Sequence, residues 1–267
     1  MSTERIYAIL LRVLYLMRGS FTRVVPLFAW AAIDIVLWGF ITRYLNSVSH
    51  SGMNFVSTML GAVLLWDFFT RAMFGVTTSF FEDVWSRNFL NLFATPLKTS
   101  EYLTGLVLSS VLTSFFGLVV MLVLATLVFG LSFFAYGALF VPFVMVLFLF
   151  GIALGILSIS IVLRLGPAAE WFIWPMPAIL APVAAVFYPI SVLPEPLQWI
   201  ARLLPASYVF EGLRAIAAHE AAPVGILAIG GVLSIFYIVL SGWVFARTYR
   251  YAVRTGLIAR YSAETVS

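Results

Sequence analysis

Cysteine is absent from this chain of 267 residues. Disulfides, thiolate metal sites and iron–sulfur clusters are therefore excluded. Charge is scarce as well, at 10% of residues, where a soluble domain carries roughly 25%. Histidine occurs twice and lysine once, at Lys98. With Leu97 before its one lysine, the chain cannot form the phosphate loop G-x-x-x-x-G-K-[ST]. It also holds no H-E-x-x-H and no G-x-S-x-G. The groups needed for hydrolysis or electron transfer are missing. Any work the chain does must draw on a gradient or on another chain.

What fills the sequence is apolar. Hydrophobic residues make up 63% of it, and the mean hydropathy is +1.08. Both values place the chain among integral membrane proteins. A bilayer core of about 30 Å takes about 20 helical residues. Six runs meet that length, roughly 24–45, 55–81, 102–130, 133–163, 171–190 and 224–245. The second, third and fourth exceed it, and are expected to tilt or project. The first run follows four arginines and is too long for a signal h-region, so no cleavable signal peptide is predicted. The expected fold is a single all-α transmembrane domain over 1–267 with six spans.

An even number of spans puts both termini on one side, and the basic residues choose the side. With the termini inside, eleven Lys and Arg fall on the cytoplasmic side and three (Arg43, Arg202, Arg214) outside, with Arg71 within a span. The charge of +4 lies at span ends rather than on one basic face, so it does not point to nucleic acid.

The segments between spans carry their own signals. Residues 1–23 place Ile6, Ile9, Leu10, Val13, Leu14 and Met17 at helical spacing, opposite Arg5 and Arg12. That pattern reads as an interfacial helix with its arginines on anionic lipid, or as a plain extension of the first span. Residues 82–99 interleave Val84, Trp85, Phe89, Leu90, Leu92 and Phe93 with Arg87, Asn88 and Asn91, before Pro96 stops the helix. This fits a short amphipathic helix across the cytoplasmic mouth, serving either as a docking element or as a cap on the bundle. The tail, 246–267, carries a basic stripe of Arg247, Arg250 and Arg254, suited to anionic lipid.

The fifth run is crowded with proline, at Pro175, Pro177, Pro182 and Pro189. Each interior proline removes a backbone hydrogen bond. The freed carbonyls need partners in protein or a wet cavity. The run is thus a kinked structural helix or an element beside a substrate path. Residues 191–218 are too apolar for a free loop and too broken for a span. They read as two short helices joined at Pro205, dipping into the outer leaflet, with Glu211 and Arg214 spaced to pair.

Three ionisable residues lie within spans: Asp34 in the first, Asp67 and Arg71 in the second. A charge at the bilayer centre costs about 2.5–3.5 kcal/mol on insertion scales, so it should face inward with a partner. The four-residue spacing of Asp67 and Arg71 permits an ion pair, which Asp34 can join across helices. Such a pair is either structural or a contact for a polar substrate group. Gly151 and Gly155 form a small-xxx-small pattern in the fourth run.

These segments, in this order, resemble the permease subunits of type-2 ATP-binding cassette (ABC) exporters. The resemblance covers nearly the whole chain. Its most specific part is Phe187-Tyr-Pro189, then Leu193-Pro194, then Leu204-Pro205-Ala-Ser-Tyr208 through Glu211-Gly-Leu-Arg214. The second part is Arg87 through Thr95-Pro96-Leu97. At Leu204 the chain departs from the family, which often has asparagine before that proline.

The resemblance implies a pair of permeases, most simply a homodimer, and two copies of a separate ATPase that binds ATP and Mg. Residues 82–99 would be the coupling segment, with Val84, Trp85, Arg87, Asn88, Leu90, Asn91 and Pro96 engaging the ATPase. Phe187, Pro189, Pro194, Pro205, Tyr208, Glu211 and Arg214 would form an outer gate, and the path would run between the two copies. The setting would be the bacterial inner membrane, multi-pass, with no cofactor or metal in this chain. Aromatic content and few intramembrane charges favour an amphipathic drug-like or lipid-type cargo, with a glycan or lipid-linked glycan as the alternative. A gradient-driven transporter or channel would need a relay of ionisable groups, and only Asp34, Asp67 and Arg71 are available. A membrane enzyme would need a catalytic cluster at one interface, and none is visible.

Overall fold

A computed structural model of the chain describes residues 2–19, 21–48, 56–86, 91–92, 94–131, 137–218, 220 and 224–257. Among them helix is the only regular structure. Backbone within lipid must satisfy its own N–H and C=O groups, and a helix does so inside one segment. In chain order the helices are α1 (Thr3–Arg18), α2 (Phe21–Val48), α3 (Gly61–Trp85), α4 (Thr99–Phe129), α5 (Phe140–Leu165), α6 (Met176–Val183), α7 (Glu195–Leu203), α8 (Pro205–Ala217) and α9 (Val224–Arg254). A π-helical turn, Val56–Leu60, leads into α3, and 3-10 turns cover Pro167–Phe172 and Ile190–Val192.

Four stretches of described helix are long and apolar enough to cross a membrane: Thr58–Trp85, Thr99–Phe129, Gly137–Leu165 and Val224–Arg254. α2, with 28 residues, matches them in length. The segment read as a fifth span, 171–190, is not one helix. α6 has eight residues with Pro182 inside it, about 12 Å of rise. Non-helical chain follows from Ala184 to Pro189. Proline has no N–H to give, so the ladder loses a bond at Pro182, and α6 ends one residue later.

α3 and α5 form the centre. Their apolar windows are 61% and 72% buried, against 28% for α4 and 22% for α9, so the latter two lie at the outside of the bundle. The central pair approaches closely because Gly151 and Gly155 of α5 lie against the backbone of α3. A Cβ at Gly151 would sit 2.8 Å from the Phe69 carbonyl oxygen, and one at Gly155 would sit 2.7 Å from that of Met73. Hydroxyls join the neighbouring helices. Ser110 of α4 donates to the Ala72 carbonyl of α3 at 2.8 Å, and Ser234 of α9 to the Val146 carbonyl of α5 at 3.0 Å. Such bonds replace the missing hydrophobic drive between helices in lipid.

The bundle has two distinct ends. At one, α3 finishes at Trp85 and α4 begins at Thr99. At the other, α8 touches α3 and the π turn that precedes it. α3 alone separates the two by about 37 Å.

Candidate functional site

The end where α3 meets α4 is organised by carboxylates that the sequence reading did not single out. Asp83 and Glu101 are both 1% exposed. A buried carboxylate needs a partner, and each finds one on α1. Arg12 forms an ion pair with Asp83, whose other oxygen accepts a 2.7 Å bond from the Tyr102 hydroxyl of α4. Arg5 lies 3.3 Å from Glu101 and also donates to the Pro96 carbonyl. Glu101 further accepts from the backbone N–H of Ser2 at 2.7 Å and of Lys98 at 3.0 Å. The Lys98 bond is the reach-back half of a capping box at the start of α4.

α1 is thus clamped to both sides of the α3–α4 connection. Between its two arginines Ile9, 5% exposed, seats over Gly105 of α4, where a Cβ would fall 2.6 Å from Ile9 Cγ2. The expectation that Arg5 and Arg12 rest on anionic lipid is corrected here: both turn to protein carboxylates. Burial pulls the Arg12 guanidinium below its ordinary value, and Tyr102 and Glu82 act against that pull. A groove of about 290 Å³ remains between α1 and the connection, lined by Arg5, Ala8, Arg12, Leu92, Thr95 and Pro96.

The predicted coupling residues divide. Val84 belongs to the last turn of α3 and is buried, 5% exposed, so it packs inward instead of offering itself to a partner. Its neighbour Trp85 is 45% exposed and donates its ring N–H to Glu170 at 3.1 Å. Asn91 is helical and exposed, and Pro96 is exposed. Arg87, Asn88 and Leu90 lie outside the described residues. Glu170 was missed by sequence reasoning. It stands in the 3-10 turn after Gly166 and also accepts from the Trp174 ring N–H at 3.2 Å. One carboxylate therefore links the end of α3 to the run that precedes α6.

At the far end, α8 grips the non-helical chain that follows α6. Arg214 donates to the Ala185 carbonyl at 3.0 Å and to that of Val186 at 3.3 Å. Its other nitrogen meets Glu211 at 3.0 Å, and Glu211 accepts from the Ile190 N–H at 2.8 Å. The gripped chain includes Ala185 with φ of +53°, a left-handed conformation that costs a non-glycine residue about 1–2 kcal/mol. Phe187 stacks on Trp38 of α2 with centroids 4.9 Å apart. Tyr208 donates to the Arg202 carbonyl at 2.7 Å, holding α8 to α7. Pro189 and Pro194 precede the 3-10 turn and α7, and Pro205 opens α8. Of the predicted gate residues, Phe187, Pro189, Glu211 and Arg214 thus share one knot. Pro194, Pro205 and Tyr208 shape the two helices beside it.

Asp34, Asp67 and Arg71 come together on one cavity of about 460 Å³ between α1, α2, α3 and α4. Arg71 is 3.5 Å from Asp67 along α3. Its side chain is pinned against Gly117 of α4, where a Cβ would lie 3.1 Å from Arg71 Cδ. Among the described residues no group of His, Asp and Glu is placed to hold a metal.

The arrangement is that of a multi-pass membrane protein with no catalytic constellation on the described residues. No curated protein matches the chain. A family profile described as ABC-2 type transporter matches residues 8–217. That match takes in most of α1 with Arg12, the far end and the cavity, leaves Ser2 and Arg5 of the near clamp outside it, and covers most of the sequence. The chain belongs to the ABC-2 type transporter family, as a permease component of an ABC transporter.

Proposed function

We propose that this chain is the membrane subunit of an ATP-driven exporter that moves an amphipathic, drug-like or lipid-type molecule out of the cytoplasm or inner leaflet. Two copies form the passage, and two copies of a separate ATPase bind ATP and Mg and supply the drive. The chain crosses the bacterial inner membrane six times, with the unwound 171–190 run as the fifth crossing and both termini in the cytoplasm.

The observation that carries this reading is the double clamp of α1 on the α3–α4 connection, Arg12 to Asp83 and Arg5 to Glu101. A short segment can act as a lever only if its roots do not flex. Here both roots are fixed to a third helix. Trp85, Arg87, Asn88, Leu90, Asn91 and Pro96 form the contact with the ATPase. Displacement of that segment passes to α3 and α4 directly, and through Trp85 and Glu170 to the run before α6. The far end, held by Glu211 and Arg214, opens and closes the exit. ATP drives the change because closure of the ATPase pair favours one permease arrangement over the other.

The test is co-purification. Charge reversal of Arg87 together with replacement of Asn88 and Asn91 by aspartate removes the ATPase from the membrane complex. The permease itself still inserts and purifies as a folded protein. Recovery of the ATPase in normal yield with that variant overturns the docking assignment.

A further inference from the structure

The cavity of about 460 Å³ has a wall whose polar groups are weighted towards hydrogen-bond acceptors. Five hydroxyls line it, and four of them, Thr70, Thr78, Ser79 and Thr113, are committed as donors. Each donates its proton to a carbonyl of its own helix, to Trp66 at 3.0 Å, Phe74 at 2.6 Å, Gly75 at 2.8 Å and Ser109 at 3.0 Å. A hydroxyl has one proton and two lone pairs. With the proton committed, these four groups offer the cavity acceptors only. The carboxylates of Asp34 and Asp67 add further acceptors.

The charge is weighted too. Two carboxylates, Asp34 and Asp67, face one guanidinium, Arg71, and leave a formal charge of −1 on the lining. Arg71 is already drawn to Asp67 at 3.5 Å and confined by Gly117. Ser114 contributes a second sign of an unfilled site. It is 1% exposed, lies on the lining, and its Oγ has no hydrogen-bond partner among the described residues. Trp30 and Trp174 complete the wall with aromatic faces. From Asp67 to Ser79 the cavity follows α3 for about 18 Å, enough for a head group and part of an apolar body.

We infer that this cavity binds the protonated amine of an amphiphile, with the ammonium among Asp34, Asp67 and the committed hydroxyls and the apolar body against the tryptophans. An ammonium brings three donors and no acceptor, which complements two carboxylates, four committed hydroxyls and a net negative charge, with Arg71 and Ser114 as the donors on the same lining. Tryptophan faces attract the same charge. An anionic head group meets two carboxylates here. A sugar finds donors for its lone pairs at Arg71 and Ser114, against six acceptor side chains on the same lining. The inference rests on the exporter reading for its physiological meaning, since it names the cargo class.

The binding test needs no ATPase, so it fails independently of the coupling assignment. The purified full-length permease in phosphatidylcholine nanodiscs is titrated with radiolabelled dodecylammonium below its micellar concentration. Unlabelled dodecylammonium, dodecyl sulfate and dodecyl maltoside serve as competitors. The expected result is saturable binding displaced by dodecylammonium and not by the other two, weakened at least tenfold by Asp34→Asn. Thr113→Val, which keeps the shape and removes an acceptor, weakens it several-fold and serves where Asp34→Asn does not fold. Equal competition by dodecyl sulfate or dodecyl maltoside overturns the inference. So does affinity unchanged in folded variants, or the absence of saturable binding.

Discussion

Arg12 of α1 and Tyr102 of α4 meet on the same carboxylate, that of Asp83 at the end of α3. Three helices are joined at one buried group. Removing one partner of a buried pair leaves the other charge uncompensated, at a cost of about 3–5 kcal/mol. Arg12→Ala and Asp83→Ala each lower the unfolding temperature in detergent. The double variant is expected to be less destabilised than the sum of the two, because no lone charge remains. Additive losses in that cycle would show that the two side chains act separately.

A different contact holds the middle of α1. Ile9 fills the space over Gly105, with 2.6 Å between its Cγ2 and a Cβ placed there. Gly105→Val forces the helices apart while leaving both ion pairs chemically intact. The absence of cysteine makes this easy to follow, since introduced cysteines are the only labelling sites. Spin labels at Tyr7→Cys and Thr104→Cys should report a longer and broader distance in the Gly105→Val background. An unchanged distance distribution would mean that α1 is positioned by its arginines alone.

The sequence revealed these elements unevenly, for physical reasons. Long apolar runs announce α3, α4, α5 and α9, because lipid demands both composition and length. The break at Pro205 and the Glu211–Arg214 pair follow from local spacing. Asp67 and Arg71 are legible for the same reason, being four residues apart on one helix. What escaped was most of the contacts between distant segments, Asp34 with the Asp67–Arg71 pair excepted. Arg5 and Glu101 are separated by 96 residues, and nothing in the amphipathic pattern of α1 distinguishes an arginine aimed at lipid from one aimed at a buried acid. Glu170 and Trp85 are as far apart in the same sense, at 85 residues. Val84 looked like a surface residue only because α3 was expected to end before it. The carbonyl partners of Arg214 were invisible, since backbone acceptors leave no mark in a sequence.

Those carbonyls make the far end testable. Arg214 holds the oxygens of Ala185 and Val186 beside the one non-glycine residue with positive φ among the described residues. Arg214→Ala leaves Ala185 in a left-handed conformation without its restraint, and Glu211 without its cation. Limited proteolysis around residues 184–190 should accelerate in that variant. Ala185→Gly removes the steric penalty of about 1–2 kcal/mol and is expected to recover part of the protection. Loss of protection in Ala185→Gly alone, equal to that of Arg214→Ala, would contradict the assigned order of cause.

The central pair of helices gives the sharpest steric prediction. Gly151 and Gly155 face backbone atoms of α3, the carbonyl oxygens of Phe69 and Met73, at 2.8 and 2.7 Å from a built Cβ. A flexible side chain could swing aside, but backbone cannot move without shifting a helix that packs on α4 as well. Gly151→Ala and Gly155→Ala are therefore expected to destabilise by about 1–3 kcal/mol each, the range for overpacking a well-filled core. Gly231→Ala on α9 supplies the control, since a Cβ there has open space within 4 Å. It should be neutral or slightly stabilising, because alanine is the better helix former. Thermal unfolding of the three variants in one detergent compares them directly. If Gly155→Ala melted with Gly231→Ala, the close approach of α5 to α3 would have to be abandoned.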